Sequence, residues 1–283
     1  MQTRVAAAFA ALRDRLDGSA LRAALQRGTA AVLDAIPWDA VLAARLLGDA
    51  MRVFRDTYEA AGDAAAARVK RQVIGKADDY EAQVESFAFD VLNDRGLKFL
   101  QQHAARRVVE ITDSTRDALR QLLAEMHNAG VPVTQQVARI KQLVGLTTQQ
   151  VRTVENLRAE LTDRGEAPVR VERLVASKTK ELHRLRALTI ARTENAFAAS
   201  AGQRESWQQM IDDGIFSKEE STRAWLTSED EVTCPICEPM DGQERGLDEP
   251  FVTGEGDEID EPPAHPNCRC DVVLRISEGR MAA

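Results

Sequence analysis

Cysteine is missing from the first 233 residues of this 283-residue chain. That absence excludes a disulfide framework or a thiolate metal site over most of its length. Aromatic residues are scarce too, at 5%. Much of the apolar content is alanine and leucine, which favours helices over sheets. No apolar run approaches the ~20 residues needed to cross a bilayer. The longest near the start, Val5 to Leu12, is broken by Arg13 and Asp14. No basic region and cleavage pattern frame it, so the expectation is a soluble chain made in a cytoplasm. Glycine-rich phosphate loops, Gly-x-Ser-x-Gly elbows and His-Glu-x-x-His pairs are all missing. So are internal repeats, heptad arrays and Pro/Ser-rich linkers.

What is present is uneven in charge. The net charge is −8, but residues 201–283 hold 20 acids against 7 bases, leaving 25 against 30 before them. A helical part with a mild positive excess therefore precedes an acidic end. The excess suits solvated helix faces, and equally a surface turned toward nucleic acid or an acidic partner.

The first ~75 residues read as helices broken at Gly18, Gly28, the Ile36-Pro37-Trp38 turn and Gly62. From Asp78, Phe87, Val91 and Leu92 share a helical face before a break near Gly96. A further stretch carries Phe99, His103 and Val109. Asp113 or Ser114 can cap the next helix, lined by Leu119, Leu122, Leu123 and Met126 and ended at Asn128 to Gly130. Val133, Val137, Ile140 and Val144 follow at helical spacing, with a stop at Gly145. Thr147 and Gln150 fit a capping box, with Leu146 and Val151 placed for a hydrophobic staple. Gly165 is placed to end that helix in a left-handed turn. Pro168 opens another start, and a long helix can run to Gly214.

Within this scaffold, His103, His127 and His183 are far apart and suit structural or solvated roles. Arg192 and Glu194 suit helix anchoring better than catalysis. Chemistry concentrates in Trp225 to Cys270, which holds Cys234, Cys237, His265, Cys268 and Cys270. The two-residue gap of Cys-Pro-Ile-Cys lets two thiolates reach one metal from a tight turn, and His265 and Cys268 stand three apart. Five donors thus compete for four positions: Cys234, Cys237, His265 and Cys268 come first, with Cys270 a substitute for either of the last two. Zinc suits mixed sulfur and imidazole ligands, and four protein ligands leave no open position for catalysis. Two disulfides, or unpaired thiols, remain open on spacing alone, though a cytoplasmic origin disfavours disulfides. Residues 244–261 carry eight acids and one arginine without calcium-loop spacing, and read as a flexible solvated excursion.

The order of motifs resembles the phage Mu F-like minor head protein family. The matching positions are Ala191 to Asn195, Trp225, Cys234, Cys237, Asp241, Gly242, Pro262, Pro263, His265, Pro266, Asn267, Cys268, Arg269 and Cys270. The likeness is strong over residues 110–275 and thin before residue 80. The acidity between Gly242 and Pro262 departs from the pattern. The resemblance implies a non-enzymatic virion component acting in head morphogenesis, inside the head or at the portal vertex. It implies the portal protein and other head proteins as partners, with no membrane partner and with non-specific contact to double-stranded DNA as an added property. Only 13 residues follow Cys270, so no enzymatic domain is expected beyond it. The alternative is a zinc-dependent nucleic-acid-processing enzyme of HNH-like type. That chemistry needs a catalytic histidine and a second metal ligand beyond a structural zinc, and His265 is the sole histidine in the region.

The expected architecture is mainly α. A helical N-terminal region (1–77) and a helical core (78–214) precede a small irregular α+β zinc-binding module (215–283). Arg192, Glu194, Trp225, Asp241, Gly242, Asn267 and Arg269 are expected as its structural motif residues.

Overall fold

A computed structural model describes residues 1–73, 78–228, 230 and 233–277. The chain is mainly α-helical with few, short strands. The α-helices are α1 (Gln2–Asp14), α2 (Gly18–Arg27), α3 (Thr29–Asp34), α4 (Met51–Val73), α5 (Asp78–Ser86), α6 (Asp94–Asn128), α7 (Val133–Leu143), α8 (Thr148–Asp163) and α9 (Pro168–Asp212). Two π-helical segments, Trp38–Ala43 and Leu46–Ala50, separate α3 from α4. No helix among the described residues is long and apolar enough to cross a membrane. The expected boundary between residues 77 and 78 falls against residues 74–77, which lie outside the described residues.

The chain divides into two compact units. One contains Met1–Met51 and Gln102–Ile190, the other Arg52–Gln101 and Ala191–Ala283. Each therefore interleaves segments distant in sequence, and each has its own apolar core.

The first unit is built from periodic apolar faces. Leu119, Leu122, Leu123 and Met126 on α6 are all buried, with Val5, Phe9 and Leu12 of α1 and Val137 and Ile140 of α7 in the same core. Val133, expected on the inner face of α7, is instead exposed in its first turn. The capping box of α8 is formed. Thr147 Oγ1 accepts the Gln150 N–H at 3.4 Å, and Gln150 Oε1 accepts the Thr147 N–H at 3.2 Å. Gly165, at φ +73°, closes α8 in the left-handed turn its position predicts.

Two expected breaks are not breaks. Asp113 and Ser114 cap nothing, because α6 runs unbroken for 35 residues. Ser114 and Thr115 sit mid-helix, where both hydroxyls donate back to the Ile111 carbonyl at 2.9 Å. Gly62 lies inside α4, and a Cβ there would fall 2.3 Å from the Phe89 ring. The glycine is needed for close approach of a side chain, and a helix stop is not its purpose.

The second unit sets helices against a small sheet. Strands β1 (Ser221–Leu226), β2 (Glu244–Gly246), β3 (Phe251–Val252), β4 (Glu258–Ile259) and β5 (Asp271–Ile276) form an antiparallel β2-β1-β5 sheet and a separate β3-β4 pair. Trp225 lies opposite Val272, and Ala224 opposite Val273. Val272, Leu274 and Ile276 alternate inward to a core with Trp207, Phe216, Trp225 and Phe251. The helices hold β5 by its main chain and one acid. Gln72 donates to the Leu274 carbonyl at 3.1 Å, Gln203 to the Val272 carbonyl, and Arg68 pairs with Asp271 at 3.1 Å. Gly202 of α9 lies so near α4 that a Cβ would meet the Tyr58 carbonyl oxygen at 2.0 Å.

The acidic stretch is no free excursion. Arg223 points inward from β1 and is 1% exposed. Its guanidinium donates to the carbonyls of Glu249 and Asp260 at 2.6 Å each and of Gly246 at 3.3 Å, and lies over the Phe251 ring. The segment is wrapped round this cation by its backbone, and its carboxylates face outward.

Candidate metal centre

All five sequence-predicted donors converge in the second unit, on two loops. The first follows β1. At Cys234 the chain turns tightly, with the Cys237 and Glu238 N–H groups donating to the Cys234 carbonyl at 3.0 and 2.9 Å. That turn sets the two thiols side by side. Gly254 braces it from the acidic segment, donating to the Ile236 carbonyl at 2.9 Å. A Cβ at Gly254 would strike the Pro235 carbonyl oxygen at 2.3 Å, so only glycine allows that approach.

The second loop is His265-Pro266-Asn267-Cys268. The Cys268 N–H donates to the His265 carbonyl at 3.1 Å, and Asn267 takes a left-handed φ of +62°. Asparagine tolerates that conformation better than most residues. The Asn267 N–H donates to Thr193 Oγ1 at 3.2 Å, tying the loop to α9. This bond joins the Ala191–Asn195 motif to the cysteine loops. Thr193 is its contact residue, Glu194 is buried beside it, and Arg192 is exposed.

His265 is oriented as a ligand. Its Nδ1 lies 2.9 Å from the Pro266 carbonyl oxygen, which makes Nδ1 the protonated nitrogen. That leaves the Nε2 lone pair directed at Cys234 Sγ, 3.0 Å away, and Cys237 Sγ, 3.2 Å away. A backbone carbonyl fixing the other ring nitrogen is the usual arrangement around a metal-bound imidazole. Cys237 Sγ lies 3.8 Å from Cys268 Sγ. A tetrahedral zinc with bonds of about 2.3 Å to sulfur and about 2.0 Å to nitrogen places its ligand atoms about 3.5–3.8 Å apart. The observed separations match this for the sulfur pair and fall a few tenths of an ångström short for the imidazole. Cys234, Cys237 and His265 form one compact triad, and Cys237, Cys268 and Cys270 a second that shares Cys237; either can hold a metal ion.

The four cysteines are free thiols in this structure. Their proton affinities diverge. Cys268 is pushed down to about 5, chiefly because the Cys270 thiol donates to it. Cys270 is pushed up by the same bond and by burial. Burial raises Cys237, and His265 is raised by the Pro266 carbonyl and the nearby thiols against the pull of burial. Burial also pushes Cys234 upward, but the N–H groups of Cys237 and Ile236 outweigh it and bring the thiol below its ordinary value. Packed together, these groups disfavour full ionisation, and a divalent cation relieves that by replacing their protons.

The remaining motif residues make local contacts. Asp241 Oδ1 accepts the Thr227 N–H at 2.7 Å, and Gly242, at φ +71°, donates its N–H to the Trp225 carbonyl at 2.9 Å. The Asp-Gly pair thus turns the chain from the Cys loop into β2. Trp225 is fully buried with its ring edge-on to Phe251. Arg269 pairs with Asp230 at 2.7 Å on the surface. Sequence reasoning overlooked Arg223 and Gly254. The one signal for Arg223 was a lone base inside the apolar strand sequence Ser221–Leu226.

Residues 138–273 match the family described as Phage Mu protein F like protein. That stretch is similar to the Mu F-like family. It runs from α7 to β5 and encloses all five donors. No curated protein and no solved structure matches the chain. The Mu F-like region contains both the Thr193 anchor and the Cys/His loops, so their hydrogen bond lies within one family unit. The region begins in the first unit and ends in the second.

Proposed function

We propose that the chain is a minor head protein of a bacteriophage, acting in head morphogenesis at or near the portal vertex. The observation that carries this reading is the Mu F-like match over residues 138–273, coincident with the Cys/His cluster that α9 pins in place. Its partners are the portal protein and other head proteins, and its place is the virion. The basic excess of the helices adds a sequence-independent contact with packaged duplex, which weakens steeply with salt. Co-sedimentation with phage proheads and recovery with the portal protein are the expected results. Absence from both heads and virions overturns the reading.

Within that role the cluster is a structural zinc clasp held by Cys234, Cys237, His265 and Cys268. Zinc supplies cross-linking here. It joins the Cys234 turn to the His265 loop, and four protein ligands leave no place for a reacting water. Elemental analysis of purified protein should return one zinc per chain, and no metal with all thiols free would end the clasp. The nuclease alternative needs an imidazole free to work on a phosphodiester, and His265 Nε2 faces two thiols instead.

A further inference from the structure

A groove of about 640 Å³ opens between α1 and the first half of α9, wholly within the first unit. On the α1 side it is lined by Thr3, Ala6, Ala7 and Ala10, and on the α9 side by Ser177, Lys180, Glu181 and Arg184. Both sets have the i, i+3, i+4, i+7 spacing that puts residues on one helical face. The α1 face holds nothing larger than threonine, so a third helix can approach it closely. Phe9, fully buried, lies at the base of this wall. From Thr3 to Arg13 the wall runs about 15 Å, close to three helical turns.

The charge on this groove has one sign. Arg13, Lys180 and Arg184 all line it. Among the described residues none of the three is in an ion pair, and Arg13 instead meets the His183 ring at 3.2 Å. Glu181, the acid that lines the groove, is held by Lys178 at 3.1 Å. Other arginines of the first unit are answered by carboxylates, Arg139 by Glu155, Arg164 by Glu160 and Arg170 by Glu166. Three uncompensated cations therefore border an apolar wall. A phosphate backbone answers the charges but leaves the alanine face wet. An acidic amphipathic helix answers both.

We propose that this groove docks an acidic amphipathic helix of a partner protein, with small apolar residues laid on Ala6, Ala7 and Ala10 and carboxylates paired with Arg13, Lys180 and Arg184. The apolar anchors of such a helix repeat at i, i+3, i+4 and i+7, matching both walls. Exposed charge pairs are individually weak, so the cations select the partner and the apolar contact retains it.

The test uses the full chain and a fluorescein-labelled probe peptide of about 16 residues, long enough to hold a helix. One face of the peptide carries alanine and leucine at i, i+3, i+4 and i+7, and its flanks carry glutamate. A matched peptide carries lysine in place of glutamate. Fluorescence anisotropy at low ionic strength should show saturable binding of the glutamate peptide, with the lysine peptide at least about tenfold weaker. The chain's net charge of −8 favours the lysine peptide in any non-specific contact, so a preference for glutamate has to come from a local site. Lys180→Glu combined with Arg184→Glu, both at exposed positions, should invert the preference. Ala7→Gln, also exposed, sets an amide under the apolar face and should weaken the glutamate peptide about tenfold with the charges untouched. No binding of the glutamate peptide at about 1 mM overturns the proposal. Equal binding of the two peptides, or binding that neither variant alters, overturns it too. A duplex of about 20 base pairs is the third ligand. Duplex binding that the double reversal abolishes, with no binding of the glutamate peptide, assigns the face to nucleic acid instead. Circular dichroism checks that each variant is folded. Should the double reversal unfold the chain, Ala7→Gln and the two peptides on the native chain decide.

Discussion

The two units are stabilised in different ways. The first is an apolar interior of helix faces, in which Leu119, Leu122, Ile140 and Val154 are all buried. The second has an apolar core as well, but its irregular module hangs on a few polar anchors. Arg223 gathers three carbonyls, Gln72 and Gln203 hold β5, and Thr193 holds the His265 loop. A core of many small contacts fails gradually. A module with few anchors fails when one of them is lost.

The largest expected effect follows from removing the proposed zinc. Structural zinc contributes on the order of 10 kcal/mol to small metal-dependent modules. Chelation, or Cys237→Ser, should therefore disorder the loops around Cys234 and His265 while leaving the helices of the first unit intact. Far-UV circular dichroism should change little. Limited proteolysis should show new cuts between residues 227 and 270, and tryptophan emission should shift to the red as Trp225 loses its cover. Protease resistance unchanged by chelation breaks the comparison at its root.

Next is Arg223→Met. Methionine fills the space but leaves the carbonyls of Gly246, Glu249 and Asp260 without their donor. Stranding buried acceptors costs about 1–3 kcal/mol each, so a loss of at least about 3 kcal/mol is expected in denaturant unfolding followed by tryptophan fluorescence. A loss below about 1 kcal/mol would mean that water replaces the guanidinium, and the acidic segment would be a solvated loop after all.

How far these differences were readable before the fold depends on the range of each cause. Thr147 and Gln150 are three residues apart, and the five donors are motif-spaced, so local reading found them. Ser114 was ambiguous because the same hydroxyl caps a helix or back-bonds within one, and only the packing of α6 decides. Gly62 looked like a break because its partner, Phe89, is 27 residues away in sequence. Arg223 needed carbonyls from a segment that had no pattern of its own. The long-range contacts are therefore the ones that local sequence left out.

A mid-sized effect tests the first unit through His183, which is half-buried. His183 Nε2 lies 3.1 Å from the Gln142 carbonyl oxygen, and Nδ1 faces Arg13 at 3.2 Å. Burial, then the Arg13 charge, pushes its pKa from 6.5 down to about 4. The fold therefore favours neutral imidazole. Above pH 6.5 both folded and unfolded chains hold it neutral, and its full contribution is present. As pH falls from 6.5 to about 4 the unfolded chain takes up the proton first, and roughly 3 kcal/mol of stability is lost. His183→Gln should flatten this part of the stability–pH curve, measured by urea unfolding on the helical signal. A curve of unchanged slope would place the acid sensitivity elsewhere.

The smallest effect is the sharpest check on the contrast between the units. Thr147 holds the first turn of α8 through one hydrogen bond to the Gln150 N–H, and Gln150 returns one to the Thr147 N–H. Thr147→Ala removes the hydroxyl acceptor and should cost about 1 kcal/mol, while Thr147→Ser keeps it and should cost a few tenths at most. Because α8 also buries Val151, Val154 and Leu161, its helix should survive the loss, and the urea midpoint should move with no change in slope. Zinc content should not move either. If Thr147→Ala instead unfolds the first unit, that unit depends on single anchors as the module does, and the difference between them disappears.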